Sequence, residues 1–215
     1  MIYLVNRQNH CRIILTVVVK GAFMCGRFLI DYEFRDLIDK YNLAKYQGSM
    51  NKGEIFPSQE IMTIVQKYAV AMRWGFDFKW SSRRIINARA ETILEKKTFK
   101  NIAMSKRCII PASAYFEWQK ENHKKIKHKI FDDSKKILSL AGLYQVTKNE
   151  VNEKIYQFTI LTKTADDKIK NIHHRMPVII EETDIEEWLF SKTFNHARLL
   201  TMINNGNRPL SVKIM

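Results

Sequence analysis

Ile126-Lys127-His128-Lys129-Ile130-Phe131-Asp132-Asp133-Ser134-Lys135-Lys136-Ile137-Leu138-Ser139-Leu140-Ala141-Gly142-Leu143-Tyr144 reads as two strands separated by a turn. The first run alternates apolar with cationic side chains, as a strand with one wet face does. Asp132-Asp133-Ser134 is a cluster of turn formers, and Ile137 to Tyr144 resumes as an apolar run of buried-strand length. Working outward, segments of the same kind recur at Ile61 to Val65, Ala69 to Trp74, Arg107 to Ile110, Ile155 to Thr162 and Pro177 to Ile180. A polar stretch, Thr147 to Asn152, precedes the fourth of them. Helical spacing is confined to fewer places. Asp31 to Lys45 sets Phe34, Leu37, Ile38 and Tyr41 on one face. Thr183-Asp184-Ile185-Glu186 has the form of a capping box opening a short helix through Trp188 and Leu189. A last helix is predicted from His196 to about Asn204, capped by Asn195 and stopped by Gly206. Strands at this spacing with helices at the ends predict an α+β fold: a single domain with a curved, mainly antiparallel, barrel-like sheet flanked by a few helices.

The chain has 215 residues, 46% of them hydrophobic, enough for one sizeable core. Lys and Arg number 36 against 22 Asp and Glu, a formal charge of +14. Such an excess speaks to partners rather than fold, and nucleic acid is the partner it favours. A lysine-rich surface from genome composition is the competing account. The cysteines are Cys11, Cys25 and Cys108, an odd number without a C-x-x-C pair, which points to a reducing compartment without a disulfide framework. His10, His123, His128, His173, His174 and His196 show no helical zinc-site spacing, so neither a metal nor another cofactor is expected.

The first 23 residues read unlike the rest. Arg7 and Arg12 precede the apolar run Ile13 to Val19, which Lys20 interrupts. That run is too short to span a membrane, and Gly21-Ala22-Phe23 is a poor cleavage site. Three readings stand for residues 1–23: a start placed too early, a removable segment, or an extra strand, the first being preferred. What hangs on it is Met24-Cys25-Gly26-Arg27-Phe28. With Met24 gone, Cys25 carries a thiol beside a free α-amine. The amine condenses with an aldehyde, and the thiol closes the imine as a thiazolidine. Their ordinary pKa values, about 7.7–8.0 and about 8.5, leave both partly nucleophilic near neutrality. The plain alternative is a small buried cysteine ahead of a strand.

Three further clusters carry chemistry-bearing residues. Asn87-Ala88-Arg89-Ala90-Glu91-Thr92 follows Trp74-Gly75-Phe76 and Trp80; Arg107-Cys108-Ile109-Ile110-Pro111-Ala112 leads into Tyr115-Phe116-Glu117-Trp118; and Ile172-His173-His174-Arg175-Met176-Pro177 comes later. Each has a plain reading as well as a functional one. Glu117 is either a strand glutamate facing water or a desolvated acid suited to proton transfer. His173 is structural or catalytic, Asn87 caps a turn or orients a substrate, and Arg89 pairs with Glu91 or meets a phosphate.

In this order the four clusters resemble the SOS response-associated peptidase family. The motifs stand here as MCGRF from Met24, WGF from Trp74, NARAET from Asn87, RCIIPA from Arg107, YFEW from Tyr115 and IHHRMP from Ile172, covering Met24 to about Phe190. The resemblance implies a sensor of abasic sites in single-stranded DNA that crosslinks to them through its N-terminal cysteine, with lyase-type and autopeptidase activities. By it, Cys25 is the nucleophile, Asn87 orients its amine, Glu117 is general acid/base and His173 assists proton transfer at the sugar oxygen. Arg27, Arg89 and Arg175 would bind flanking phosphates, and Trp80 and Pro57 would wedge beside the lesion. It implies a domain over 24–215, a monomer without membrane or metal partner, and a cytoplasmic protein that is nucleoid-associated when on DNA. Arg208-Pro209-Leu210-Ser211-Val212 looks like the opening of the family's final segment, so the carboxyl end reads as shortened. Two other functions are carried alongside: a thiol peptidase cutting the Met24–Cys25 bond, and a binding module for single-stranded DNA with Cys25 blocked.

Overall fold

The computed structural model describes residues 26–44, 50–192, 195–204 and 209–215. In chain order its elements are β1 (Arg27–Ile30), α1 (Phe34–Tyr41), β2 (Gly53–Ile55), β3 (Glu60–Val65), β4 (Tyr68–Trp74), β5 (Asn87–Arg89), α2 (Lys97–Ser105), β6 (Arg107–Ala112), β7 (Ala114–Glu121), β8 (Lys124–Asp132), β9 (Leu138–Lys148), β10 (Lys154–Thr164), β11 (Arg175–Pro177), α3 (Ile185–Phe190), α4 (His196–Asn204) and β12 (Leu210–Ile214). Two sheets result. One has the order β12-β8-β7-β1-β2. In the other, β10, β4, β3, β6 and β9 follow one another, and β9 pairs back onto β10, closing a five-strand barrel. Pairing is antiparallel except where β10 runs parallel to β4 and β5. The curved, barrel-like, mainly antiparallel α+β fold expected from the sequence is what forms.

The turn at Asp132 does more than reverse the chain. Its carboxylate accepts from the Ser134 amide at 2.9 Å and the Ser134 hydroxyl at 2.6 Å. The strands on either side then join different sheets, β8 the open one and β9 the barrel. The core lies between the layers. Phe28 of β1 meets Trp74 of β4 at 5.0 Å between ring centroids, and Trp74 stacks on Phe158 of β10 at 6.1 Å. A Cβ on Gly142 of β9 would lie 2.1 Å from Ile110 Cδ1 and 3.0 Å from Cys108 Sγ, so any side chain there makes its neighbours shift.

Three expected elements shift. The first helix covers Phe34–Tyr41, not Asp31 to Lys45: the Glu33 amide donates to Asp36 at 2.7 Å to start it, and Asn42 at φ 48° ends it. Thr183 does not cap the helix over Ile185–Phe190. It sits inside a 3₁₀ turn, Glu182–Asp184, while Asp184 and Glu187 both take Arg198 and so tie α3 to α4. The run Pro177 to Ile180 is strand only at its start, as β11; beyond it Val178 and Ile180 donate to Leu161 and Ser139, each at 2.8 Å. The last helix forms over His196–Asn204 with the Arg198 amide on the Asn195 side chain at 2.9 Å; Gly206 lies outside the described residues.

Candidate active site

β1 lies between β2 and β7, with Arg27 opposite Phe116 and Phe28 opposite Tyr115. The chain therefore enters β1 alongside Glu117. Cys25 and residues 1–23 lie outside the described residues. Glu117 is 1% exposed, sharing the inner face of β7 with fully buried Tyr115 while Phe116 and Trp118 point the other way. That removes the reading of Glu117 as a strand glutamate facing water.

His173, just before β11, brings Nδ1 to 3.9 Å from Glu117 Oε1. This is longer than a hydrogen bond and becomes an ion pair when the ring is protonated. The same Nδ1 stands 3.2 Å from both the amide and the carbonyl of Arg175, so the backbone holds the ring in either tautomer. Burial lowers the pKa of His173; a hydrogen bond to the Arg175 carbonyl opposes this, and His174, Lys120 and Arg175 add to it. The imidazole is thus neutral at pH 7, able to accept a proton.

Asn87 opens β5 beside Ile160 of β10. Its approach is fixed by Trp74, whose indole N–H donates to the Ile86 carbonyl at 3.0 Å, and by the Ile160 amide on the same oxygen at 3.1 Å. The turn ahead of it needs Gly75 at φ +109°, where a side chain would also press on Arg84 at 3.0 Å. Arg89 is exposed and does not pair with Glu91. Glu91 is taken by Arg175 instead, through Nη1–Oε1 at 2.7 Å and Nη2–Oε2 at 2.8 Å, with Nη2 also donating to the Thr162 carbonyl at 2.5 Å. Burial would raise the Glu91 pKa, but the Arg175 bonds and backbone amides bring it down to about 2. Arg175, for which a phosphate contact is expected, has a side chain that is 8% exposed, and both its Nη atoms donate inside the protein, so it acts as a strut.

Arg27 is half-buried, bonded to Glu54 at 2.8 Å and lying 3.7 Å over the Phe56 ring. Pro57 is in the turn between β2 and β3. Trp80 is 68% exposed, stacked on Phe78 at 5.0 Å, and borders a cavity of about 260 Å³ shared with Asn87, Arg89, Thr92 and Lys96. So Trp80, Asn87 and Arg89 meet at one opening, and Glu117 and His173 meet beside the entry to β1. A further group escaped the sequence reading. Asp77 accepts from Arg73 at 2.8 Å, Arg84 at 2.7 Å and Gln157 at 2.8 Å, and Gln157 in turn accepts from Gln145 at 2.8 Å. These bonds, with the Phe76–Ile85 bridge, clamp the base of the loop that presents Trp80. Arg73 and Arg84 are near Asp77 in the chain but form no recognisable motif with it, and Gln157 and Gln145 reach the group from strands distant in sequence.

Burial pushes the Cys108 thiol well above its ordinary value, so it is no substitute nucleophile. Among the described residues no group of three or more His, Cys, Asp or Glu is placed to hold a metal, and no helix is long and apolar enough to cross a membrane.

A model of the SOS response associated peptidase family matches residues 24–213. The chain is 36% identical over 185 residues to the abasic site processing protein YoqW of Bacillus subtilis, covering 79% of this chain and 81% of that one. It is 26% identical over 183 residues to the abasic site processing protein HMCES of Gallus gallus, covering 70% of this chain and 54% of that longer one. A crystal structure of a Bacteroides thetaiotaomicron protein superposes with a TM-score of 0.79 at 23% identity, over 89% of this chain and 92% of that one, a likeness of fold.

Proposed function

The chain belongs to the SOS response associated peptidase family, and from that premise we propose that it processes abasic sites in single-stranded DNA by covalent capture on Cys25. The observation that carries the reading is the buried Glu117, set beside the entry to β1 with the neutral His173 ring 3.9 Å away. An abasic sugar in its ring-opened form is an aldehyde. With Cys25 as first residue, its α-amine adds to that carbon and water leaves, giving an imine. The thiolate then adds to the imine carbon, nitrogen takes a proton, and the thiazolidine closes.

Each step moves a proton, and the groups to move it are close together. Glu117 gives a proton to the departing hydroxyl and recovers one from the amine. His173, neutral, takes the proton of the anomeric hydroxyl as the ring opens, and the departing ring oxygen gains one from solvent. Asn87, held at the head of β5, orients the amine. Arg27 and Arg89 meet the flanking phosphates, while Arg175 braces Glu91 and the backbone around His173. Trp80 and Pro57 wedge against the neighbouring bases.

The test is incubation with uracil-excised single-stranded DNA, read as a heat-stable shifted band, with the intact mass of the protein measured in parallel. A band is expected from material whose mass begins at Cys25. Cys25→Ala abolishes it, Glu117→Gln slows it, and Arg89→Ala weakens binding in a salt-dependent way. A Cys25→Ala variant that crosslinks as well as the parent rejects the assignment.

A further inference from the structure

The outer face of the open sheet carries an arrangement that the chemistry at Cys25 does not use. Strand alternation puts Phe116, Trp118 and Lys120 of β7 on that face, with Lys125, Lys127, Lys129 and Phe131 of β8. The registers line these up across strands. Lys213 of β12 is opposite Lys129, Lys129 is opposite Phe116, and Phe116 is opposite Arg27. At about 4.8 Å per strand this row spans about 14 Å and ends two residues from Cys25. Beside it Trp118 faces Lys127, and Lys120 faces Lys125.

Two of these oppositions, Lys213 with Lys129 and Lys120 with Lys125, set like charges directly across a strand pair, which is destabilising. Neither pair has a carboxylate within ion-pair distance among the described residues; the face's acid, Glu54, is taken by Arg27 at 2.8 Å and Lys127 at 2.6 Å. Lys129 lies 5.2 Å from the Phe131 ring centroid, and the Glu54-bound Lys127 covers the buried Phe116 ring at 4.1 Å. The unneutralised Lys120, Lys125, Lys129 and Lys213, with the half-buried rings of Trp118 and Phe131 among them, suit an unpaired polyanionic strand, whose phosphates take the charges and whose bases stack regardless of sequence.

The geometry points to a lesion-independent binding track for single-stranded DNA across this face, running from Arg27 out to Lys213. It rests on the function proposed above and adds to it where the flanking strand lies. The track holds undamaged DNA by counterion release and delivers an abasic site to the start of β1.

The experiment titrates undamaged oligo-dT against the protein by fluorescence anisotropy over a series of salt concentrations. The triple variant Lys125→Gln/Lys129→Gln/Lys213→Gln is compared with the parent. Each lost phosphate contact flattens the log–log salt slope by about 0.7, so the triple variant's slope is expected to be shallower by about 2, with affinity at low salt down more than tenfold. Its crosslinking rate on uracil-excised DNA at saturation stays that of the parent, and its melting temperature without DNA is equal or higher as the Lys–Lys oppositions are relieved. An unchanged salt slope in a variant that still crosslinks overturns the track and leaves the proposed function standing. A parent protein that neither binds oligo-dT nor crosslinks overturns both.

Discussion

His173 decides the pH behaviour of the reaction as proposed. Burial and the nearby cations hold its pKa below the ordinary 6.5, so it protonates only on the acid side of that value. The crosslinking rate at fixed DNA occupancy should hold through neutral pH and fall along an acidic limb centred below 6.5; initial rates against pH locate the limb. His173→Asn should lower the rate and remove the limb, and a limb that survives the substitution belongs to another group. Glu91 titrates in the opposite sense. Its folded carboxyl, at about 2, lies below its unfolded value of about 4.3, so the stability it lends is complete above the unfolded value and is lost as pH falls through about 2. Arg175→Ala removes the cause of that shift. It should cost about 1–3 kcal/mol near neutrality, less than a fully buried pair because Glu91 is partly in water, and this difference from the parent should shrink at pH 2–3 in urea melts. The identities of these residues were legible from their motifs. Their partners were not: the sequence offers Arg89 as the mate for Glu91, and the placement of β11 against β10 supplies Arg175 instead.

At the scale of elements, the loop between Phe76 and Ile85 behaves as a mounted arm. Its root is the convergence of Arg73, Arg84 and Gln157 on the Asp77 carboxylate, and its tip is the Phe78–Trp80 stack. Asp77→Asn trades charge-assisted bonds for weaker ones and should loosen the arm without unfolding the barrel. The expected signs are a lower tryptophan anisotropy and a several-fold weaker grip on abasic DNA, with the saturated crosslinking rate nearly unchanged. A drop in the saturated rate alone would place Asp77 in the chemistry instead. The long apolar or alternating strands, β3, β4, β9 and β10, could be read from the chain because each carries its own pattern. β1, β2 and β5 could not, because three or four residues hold no period and become strands only when a neighbour supplies hydrogen bonds. α2 escaped for a related reason: no side chain caps its start, and it is held by burying Phe99 and Ala103.

For the whole molecule, the division into a closed barrel and an open sheet is the feature that local reading could not reach. Asp132-Asp133-Ser134 announces a turn but not that the strands it joins part company, and the burial of Glu117 follows from the barrel side closing over β7. Gly142 sits at the tightest point of the barrel wall. Gly142→Ala must displace Ile110 or Cys108 and should cost about 1–3 kcal/mol, a fall in melting temperature of roughly 3–10 °C by calorimetry. Each barrel strand has a partner on both sides, whereas β2 and β12 are edges of the other sheet. Protection against deuterium uptake should therefore be deepest in β9 and β10 and shallower in β1 and β2. The strand that follows the proposed nucleophile belongs with Glu117 to the looser layer, while Asn87 and His173 belong to the firmer one. A breathing excursion of the outer layer would carry the start of β1 and Glu117 together away from Asn87 and His173 while the barrel stays shut, giving the protein a reversible way to idle.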